Sequence, residues 1–383
     1  MRRRKESLLI IICTSLFMFG MAGSRPLITL YSSELGANNI QIGIIVALYS
    51  LLPLFLSIYI GKIVDKVGKR NPLILSVILG CISLLIPLLF ASLYGVYLSQ
   101  IMAGLAQIIF AIIFQSYVGR FSKKKLRNYY VSIFSIGMAI GHFIGPLVSG
   151  FLADEFDYSY SLAILGCSLF IILPFVFYLD MGHKVKTVKQ NGEMMTAEQS
   201  ERFIKNPDIR RALFISAIIL LGKDIFVAYF PLLAVNKGFS NSTIGLIIAL
   251  NAAAGILIRL VLPILMRNYK ENAIIIFSIF SAGVFYLILP FLDSIWTLSI
   301  LSFFLGLSLG IGQPLSISLT INSLPAERVG EGLGLRLTVN KLTQVMGPLL
   351  LGGVANVIGV ASIFYLCGAI IVTGAANLTR RKD

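Results

Sequence analysis

Charged residues are scarce in this sequence. They make up 13% of the chain, against about 25% in soluble proteins, and hydrophobic residues make up 57%, against about 45–50%. This composition excludes an ordinary soluble domain and is typical of a membrane protein. Cysteine is scarce as well, and we expect the four cysteines to be small packing residues, because each stands alone in an apolar stretch without metal or redox spacing.

Motifs for catalysis and for ATP use are missing. The chain has no Gly-rich phosphate loop followed by Lys and Ser or Thr, which disfavours an ATP-driven pump. It also has no clustered His, Cys and acidic residues of the kind that bind a metal. We therefore expect neither an enzyme nor a bound cofactor or metal.

Long apolar runs fill most of the chain. Twelve runs of about 20 residues are each long enough to cross a bilayer as a helix. The sequence therefore predicts an all-α membrane protein with twelve transmembrane helices. The runs lie near 7–31, 40–60, 72–91, 95–117, 129–152, 159–179, 211–235, 241–266, 273–291, 295–320, 331–354 and 358–378.

The net charge of +15 has three possible explanations: nucleic-acid binding, an acidic partner or membrane topology. If the apolar runs are helices, 25 of the 32 Lys and Arg residues fall on one side of the membrane. The loops of the other side hold five acidic residues and one base, Lys237. By the positive-inside rule the basic side is cytoplasmic. We therefore predict a plasma-membrane protein with both termini in the cytoplasm, a lipid bilayer around it and no nucleic-acid partner.

The chain repeats itself at an offset of 202 residues. The thirteen residues from Gly36 match the thirteen from Gly238 at seven positions, and the same offset places Gly145-Pro146 on Gly347-Pro348. Such a repeat predicts two pseudo-symmetric six-helix bundles with a substrate site between them near mid-bilayer.

The predicted division of the chain follows from this repeat and from its one long polar segment. Residues 1–180 would form the first half, 181–210 a cytoplasmic linker, and 211–383 the second half. Within the linker, Thr196-Ala197-Glu198-Gln199 has the pattern of a helix capping box and predicts a short surface helix.

The segment after the second run combines many bases with one acid. Residues 61–70 are Gly-Lys-Ile-Val-Asp-Lys-Val-Gly-Lys-Arg, and topology explains the bases but not Asp65. The pattern resembles the signature loop between the second and third helices of major facilitator superfamily transporters. This resemblance implies alternating access, with Asp65 latching the outward-open state and Gly61 allowing close helix packing. Gly68 and Arg70 complete the pattern.

The second copy of this segment has degenerated. At the 202-residue offset, Pro263 stands for Gly61 and Arg267 for Asp65. We therefore expect an asymmetric latch that the first half alone supplies.

Glycines recur at a spacing of four residues in the fifth run. Gly137, Gly141 and Gly145 share one helix face, and close helix packing is one explanation for them. With Pro146 they also resemble, in part, the antiporter signature of the drug-efflux branch of the same superfamily, which implies export. In the first run, Pro26 belongs to a stretch, residues 25–31, that resembles the proline-containing stretch common to the efflux members of the family. There a proline would kink the helix, which suits a gate as well as plain packing.

A polar stripe marks the fourth run, because Gln100, Gly104 and Gln107 fall on one narrow arc of a helix. The stripe would face the bundle interior, either lining the substrate cavity or bonding to another helix. Exporters of the family usually carry an Arg where Gln100 stands, and that Arg is implicated in proton coupling. The resemblance thus implies that any coupling here uses another residue.

Four ionisable residues lie deep in predicted spans, namely Arg25, Lys223, Asp224 and Lys341. Each costs about 2.5–3.5 kcal/mol in a membrane, so these residues are the candidates for a substrate and proton site. Asp224 is the one acid among them and the proton-carrier candidate, and we expect it to pair with Arg25. The surplus of positive charge favours a substrate with a carboxylate or phosphate group. His142, whose repeat counterpart is Gln344, would line the cavity, bond between helices or relay protons.

Residues and resemblance together predict a monomeric secondary transporter. It would export a small organic molecule in exchange for protons, with an anionic or zwitterionic metabolite or a metal-chelating carboxylate as the substrate. Multidrug efflux of lipophilic compounds is the alternative within this class. Outside the class, the alternatives are a lipid scramblase or a non-transporting sensor on the same fold.

Overall fold

The computed structural model describes residues 2–119, 124–179, 206–324 and 329–380. In these ranges the chain forms helices joined by short turns. They are α1 (Arg2–Glu34), α2 (Asn39–Val67), α3 (Arg70–Leu89), α4 (Leu93–Gly119), α5 (Lys124–Glu155), α6 (Tyr158–Ser168 and Ile172–Tyr178), α7 (Pro207–Asn236), α8 (Asn241–Asn268), α9 (Glu271–Ile288), α10 (Ile295–Asn322), α11 (Val329–Ile358) and α12 (Ala361–Arg380).

All twelve helices of the described ranges are long and apolar enough to cross a membrane. Each contains a stretch of sufficient length and apolar character, with a mean hydropathy between 1.2 and 2.6. The two segments of α6 are joined by a 3-10 turn at Leu169–Ile171 and together make one span, Tyr158–Tyr178. The predicted all-α fold with twelve transmembrane helices is confirmed, and the protein is a multi-pass membrane protein.

The predicted turn at 61–70 is much shorter in the structure. Helix α2 continues to Val67, and only Gly68 and Lys69 separate it from α3. Gly68 ends the helix because it has a φ of 94°, which side chains with a Cβ rarely adopt. Residues 61–67 hold no helix-breaking proline, so the helix runs through most of the basic segment.

Helix α7 begins earlier than the predicted start of the second half at residue 211. The Asn206 side chain accepts a hydrogen bond from the backbone N–H of Asp208 at 2.9 Å, and Pro207 occupies the first helical position. Both features favour a helix start at this point. The surface helix predicted at Thr196 lies outside the described residues.

The chain forms two compact units. The first comprises 1–190 with 238–249, and the second comprises 191–237 with 250–383. The start of α8 thus packs with the first unit, and the predicted division into 1–180, 181–210 and 211–383 stays a prediction. In the first unit α1 packs on α5 and α3 on α6, and in the second α7 packs on α11 and α9 on α12.

The sequence repeat has a counterpart in helix packing. In the first unit, a Cβ added to Gly104 of α4 would lie 2.1 Å from the carbonyl oxygen of Tyr49 in α2. In the second, a Cβ on Gly306 of α10 would lie 2.2 Å from the carbonyl oxygen of Asn251 in α8. Both pairs are separated by the same 202 residues, so equivalent helices approach each other at equivalent points.

Aromatic rings fill the interior of the first unit. Phe17 of α1 stacks on Phe110 of α4 with ring centroids 3.8 Å apart. Phe110 and Phe114 follow at 4.6 Å, and Phe114 stacks on Phe134 of α5 at 6.0 Å. Helices α1, α4 and α5 are therefore joined by a continuous apolar core.

Candidate functional site

The glycines of α5 form its seam with α1. A Cβ on Gly141 would lie 2.4 Å from the Met18 Cβ and 2.6 Å from the Ser15 carbonyl oxygen. A Cβ on Gly145 would lie 2.6 Å from the Phe19 carbonyl oxygen. Real Cβ atoms do not come so close to a backbone, so packing accounts for both glycines. A gating role for them, as for the buried Pro26 of α1, stays a prediction.

The same helix also contacts the start of α8. A Cβ on Gly245 would lie 2.3 Å from the Pro146 carbonyl oxygen and 3.2 Å from the Gly150 Cα. Pro146 therefore belongs to a tight α5–α8 contact within the first unit. In the second unit, a Cβ on the equivalent Gly347 would meet only the side chain of Leu221, and the Pro348 carbonyl accepts a hydrogen bond from the Tyr229 hydroxyl at 3.0 Å.

Asp154, at the end of α5, caps the amino terminus of α8. Its Oδ1 accepts the backbone N–H of Asn241 and its Oδ2 that of Ser242, both at 2.8 Å. The Tyr158 hydroxyl donates to Asn241 Oδ1 at 3.0 Å. The first N–H groups of a helix lack intrahelical acceptors and form the positive end of its dipole, so a carboxylate stabilises them. Sequence reasoning counted Asp154 only as a loop charge.

The bases after α2 bind the carboxyl ends of other helices. Arg70 Nη2 donates to the carbonyl oxygens of Phe177 and Leu179, at 3.3 and 3.4 Å, and the Arg70 Cζ lies 5.9 Å from the Phe177 ring centroid. Lys69 Nζ donates to the Ser116 carbonyl oxygen at 2.9 Å. These contacts place positive charge at the negative ends of α6 and α4. Arg70 therefore holds helices of the first unit together in this conformation.

The other members of the proposed latch are less constrained. A Cβ added to Gly61 would meet none of the described residues within 4 Å, and the close helix packing expected at this glycine stays a prediction. Asp65 lies in the last turn of α2, and its side chain is not among those that the structure describes. The latching role of Asp65 stays a prediction.

The deep charges occupy buried or half-buried positions in both units. Arg25 is half-buried in α1, with its Cζ 5.3 Å from the Tyr49 ring centroid. Asp224 is 5% exposed in α7, next to the half-buried Lys223. Lys341 is half-buried in α11 and donates to Gln344 Oε1 at 2.8 Å. The pairing of Arg25 with Asp224 stays a prediction.

The polar residues of α4 and α5 differ in exposure. Gln100 is 5% exposed, and Gln107 Nε2 lies 3.7 Å from the Met18 sulfur. Gln107 Oε1 is buried and has no hydrogen-bond partner among the described residues, which is costly for a polar atom. His142 is exposed, and its Nδ1 lies 2.8 Å from the Met138 carbonyl oxygen of its own helix. Gln107 is thus the stronger site candidate.

Sequence reasoning missed Arg336, which is 3% exposed in α11. Its Nε and Nη2 donate to Ser316 Oγ at 3.1 and 2.8 Å, and Nη2 donates to Gln313 Oε1 at 3.2 Å. Both acceptors are neutral, and no carboxylate of the described residues pairs with this guanidinium. A buried charge on neutral partners is unusual, because burial costs several kcal/mol that hydrogen bonds of about 1.5–3 kcal/mol each offset only in part.

Asn340 lies one helical turn beyond Arg336 and is 6% exposed. Its Oδ1 accepts a hydrogen bond from Ser216 Oγ of α7 at 2.7 Å. Helices α7, α10 and α11 thus bring a guanidinium, two amides and two hydroxyls into the interior of the second unit. The signal that could have revealed this cluster is the repeat, because the positions equivalent to Arg336 and Asn340 are the apolar Phe134 and Met138.

The described part of the chain has twelve helices that can span a membrane, a repeat that recurs in the packing and charged side chains inside the spans. These are features of a membrane transporter. The sequence model of the Major Facilitator Superfamily matches residues 10–293 and 212–382. The chain belongs to this superfamily.

Relatives of the chain include named resistance proteins. It is 22% identical to a quinolone resistance protein of Staphylococcus aureus, with 93% of each chain covered. It is 20% identical to multidrug resistance protein 2 of Bacillus subtilis, over 97% of this chain and 94% of that protein. An uncharacterised transporter of Methanocaldococcus jannaschii is 25% identical, with 98% of each chain covered.

Solved transporter structures share the fold. A nucleoside transporter superposes with a TM-score of 0.84 at 15% identity, over 98% of this chain and all of the other. A peptide transporter gives a TM-score of 0.78 at 17% identity, over 98% of this chain and 93% of the other. These likenesses concern the fold alone.

Proposed function

We propose that the protein is a proton-coupled exporter that carries a small organic molecule across the plasma membrane by alternating access. Its superfamily supports transport rather than catalysis. Two relatives are named for resistance to quinolones and to multiple drugs, and export is a direct way to lower the amount of a drug in a cell. The partial antiporter signature around Gly145 and Pro146 agrees with this direction.

The observation that carries the proposal is Asp224. This carboxyl group is 5% exposed inside the span Pro207–Asn236. A charge in the membrane interior is costly, and uptake of a proton would remove it. A conformational change that depends on the charge of Asp224 would therefore couple proton movement to solute movement.

The proposed orientation places both termini in the cytoplasm. It rests on the segments that hold 25 of the 32 basic residues, including Arg70 and Lys69 at the end shared by α4 and α6. Basic residues in short loops stay on the cytoplasmic side. We propose a monomer that binds its solute and protons.

Multidrug efflux of lipophilic compounds is the second candidate, favoured by the names of the two resistance proteins. The buried charges favour a polar solute over a lipophilic one, because a charged cavity wall stabilises a complementary charge. A scramblase or a sensor on the same fold would need neither a buried acid nor a response to protons.

Everted membrane vesicles test the proposal. We expect vesicles that contain the protein to accumulate solute when their lumen is made acidic, and to release protons as solute enters. Carboxylate metabolites and lipophilic cations are tested in parallel, with vesicles that lack the protein as the control. Accumulation of neither class, together with no proton movement, would contradict export. Movement of fluorescent lipid without a pH gradient would indicate a scramblase.

A further inference from the structure

Arg336 keeps hydrogen-bond donors that the described residues do not use. Its Nε and Nη2 bind Ser316 and Gln313, while Nη1 has no hydrogen-bond partner in the described part of the chain. Ser316 is oriented as an acceptor, because its own hydroxyl donates to the Gln313 carbonyl oxygen at 3.0 Å. Among the described residues, the two N–H groups of Nη1 therefore have no acceptor and can bind another one.

Asn340 adds a second group of donors on the same face of α11. Residues four apart on a helix are neighbours, so its side chain lies one turn from that of Arg336. Ser216 binds Asn340 Oδ1, and the amide Nδ2 has no hydrogen-bond partner among the described residues. Arg336 Nη1 and Asn340 Nδ2 therefore offer hydrogen-bond donors and a positive charge to a ligand.

The fold does not require a charge at this place. At the positions 202 residues earlier, the first unit holds Phe134 for Arg336 and Phe114 for Ser316. Those two rings stack at 6.0 Å with an interplanar angle of 16°. The same helix contact is thus made by aromatic packing in one unit and by a buried guanidinium in the other. A role in ligand binding explains why the second unit carries the less favourable group.

We propose that Arg336 and Asn340 bind an oxyanion of the transported solute, so that the substrate is a small organic acid with a carboxylate or phosphate group. The inference rests on the proposed transport function. A guanidinium binds both groups through paired N–H donors, and the Asn340 amide would donate to the same anion. The negative charge of the solute would neutralise the buried positive charge.

Binding to the purified full-length protein tests this site. The protein is placed in phosphatidylcholine nanodiscs in phosphate-free buffer, and its thermal unfolding is followed during titration with citrate, succinate, glycerol phosphate and, separately, ethidium. We expect at least one of the three acids to raise the unfolding midpoint. Arg336→Gln should weaken that binding at least about tenfold, and Arg336→Lys less, because lysine keeps the charge without the fork of donors.

Two further variants separate binding from folding. Arg210→Gln removes an exposed base from the same unit and should leave acid binding unchanged. The double variant Arg336→Phe with Ser316→Phe copies the aromatic pair of the first unit. We expect it to unfold at least as late as the wild type without ligand, and to show no response to the acids. A folded double variant that still binds acids would refute the site.

The remaining outcomes are distinct. Equal acid affinity in wild type and Arg336→Gln would overturn the assignment of Arg336. A response to ethidium alone would overturn the organic-acid substrate but leave transport standing. A response to phosphatidylglycerol added to the nanodiscs, with none to the soluble acids, would assign the cluster to lipid and overturn the solute site. Failure of the vesicles to move any solute or proton would contradict the proposed function itself.

Discussion

The two units use the same helix contacts but different chemistry. In the first, Phe114 of α4 stacks on Phe134 of α5. In the second, Ser316 of α10 binds the guanidinium of Arg336 in α11. These pairs occupy equivalent places in the repeat. The contact therefore joins two helices in both units, and in the second unit its polar residues can also bind a ligand.

The seam of α5 with α1 shows the same contrast. Gly137 and Gly141 of α5 have the larger Val339 and Thr343 as repeat counterparts in α11. Glycine brings α1 and α5 together backbone to backbone, whereas the equivalent helices α7 and α11 have side chains such as Ser216 and Asn340 between them. The two units therefore differ at this seam, although each has close backbone contacts elsewhere, such as that of Gly104 with Tyr49 and that of Gly306 with Asn251.

The largest effect that we expect concerns the free energy of unfolding. Gly141→Ala places a methyl group against the Ser15 carbonyl and the Met18 Cβ, and we expect it to destabilise the protein by about 1–3 kcal/mol or more. Gly347→Ala is the matched control, because its methyl group would meet only the mobile end of Leu221. Thermal unfolding of the purified variants measures both. Equal losses in the two variants would mean that the seams are equally tight.

A second test concerns the acid of the second unit. Asp224 has Ala22 as its repeat counterpart, so one unit alone carries a carboxyl group at this position. We expect Asp224→Asn to lower proton-driven accumulation at least about tenfold while solute exchange without a pH gradient continues. The control is Asp208→Asn, an exposed acid in the first turn of the same helix. Unchanged proton-driven transport in Asp224→Asn would exclude Asp224 as the proton carrier.

The fold can be predicted from the sequence because membrane spans and repeats are visible without knowledge of which residues are in contact. Apolar runs and the match of Gly36 with Gly238 need no knowledge of contacts, and both predict features that the structure contains. The end of α2 was misplaced because the bases after Gly61 suggest a loop, although only Gly68 breaks the helix.

Prediction of the site is harder because its members are distant in sequence. Asp154 caps a helix start that lies 88 residues further along the chain at Ser242, and no local pattern announces such a contact. Arg336 sits close to the start of its predicted run, where bases usually reach the membrane surface. A systematic comparison of repeat positions would have exposed it, because charge replaces an aromatic ring there.

A smaller effect is expected at the proposed latch. Asp65 in the first half has Arg267 as its repeat counterpart, so the latch would be one-sided. Asp65→Asn keeps the size of the side chain and removes its charge, and we expect transport to slow about two- to tenfold with solute affinity unchanged. Initial transport rates and binding titrations measure the two quantities. Loss of binding in Asp65→Asn, or wild-type turnover, would count against a latch.

The smallest expected effects compare two acids, Asp154 at the end of α5 and Asp293 in the connection between α9 and α10. Asp154 binds two backbone N–H groups, whereas Asp293 pairs with Lys237 through a side chain that is 82% exposed. Loss of a helix cap costs about 0.5–2 kcal/mol, and exposed ion pairs contribute about 0–1 kcal/mol.

We therefore expect Asp154→Asn to lower the unfolding midpoint more than Asp293→Asn does. An asparagine can still accept one of the two backbone hydrogen bonds, so part of the cap should survive, and Asp154→Ala should cost more. Measurement at low and high salt separates the two mechanisms, because salt screens the exposed pair and leaves the hydrogen-bonded cap largely intact. A loss in Asp154→Asn that disappears at high salt would show that charge alone, and not the paired hydrogen bonds, holds the start of α8 to α5.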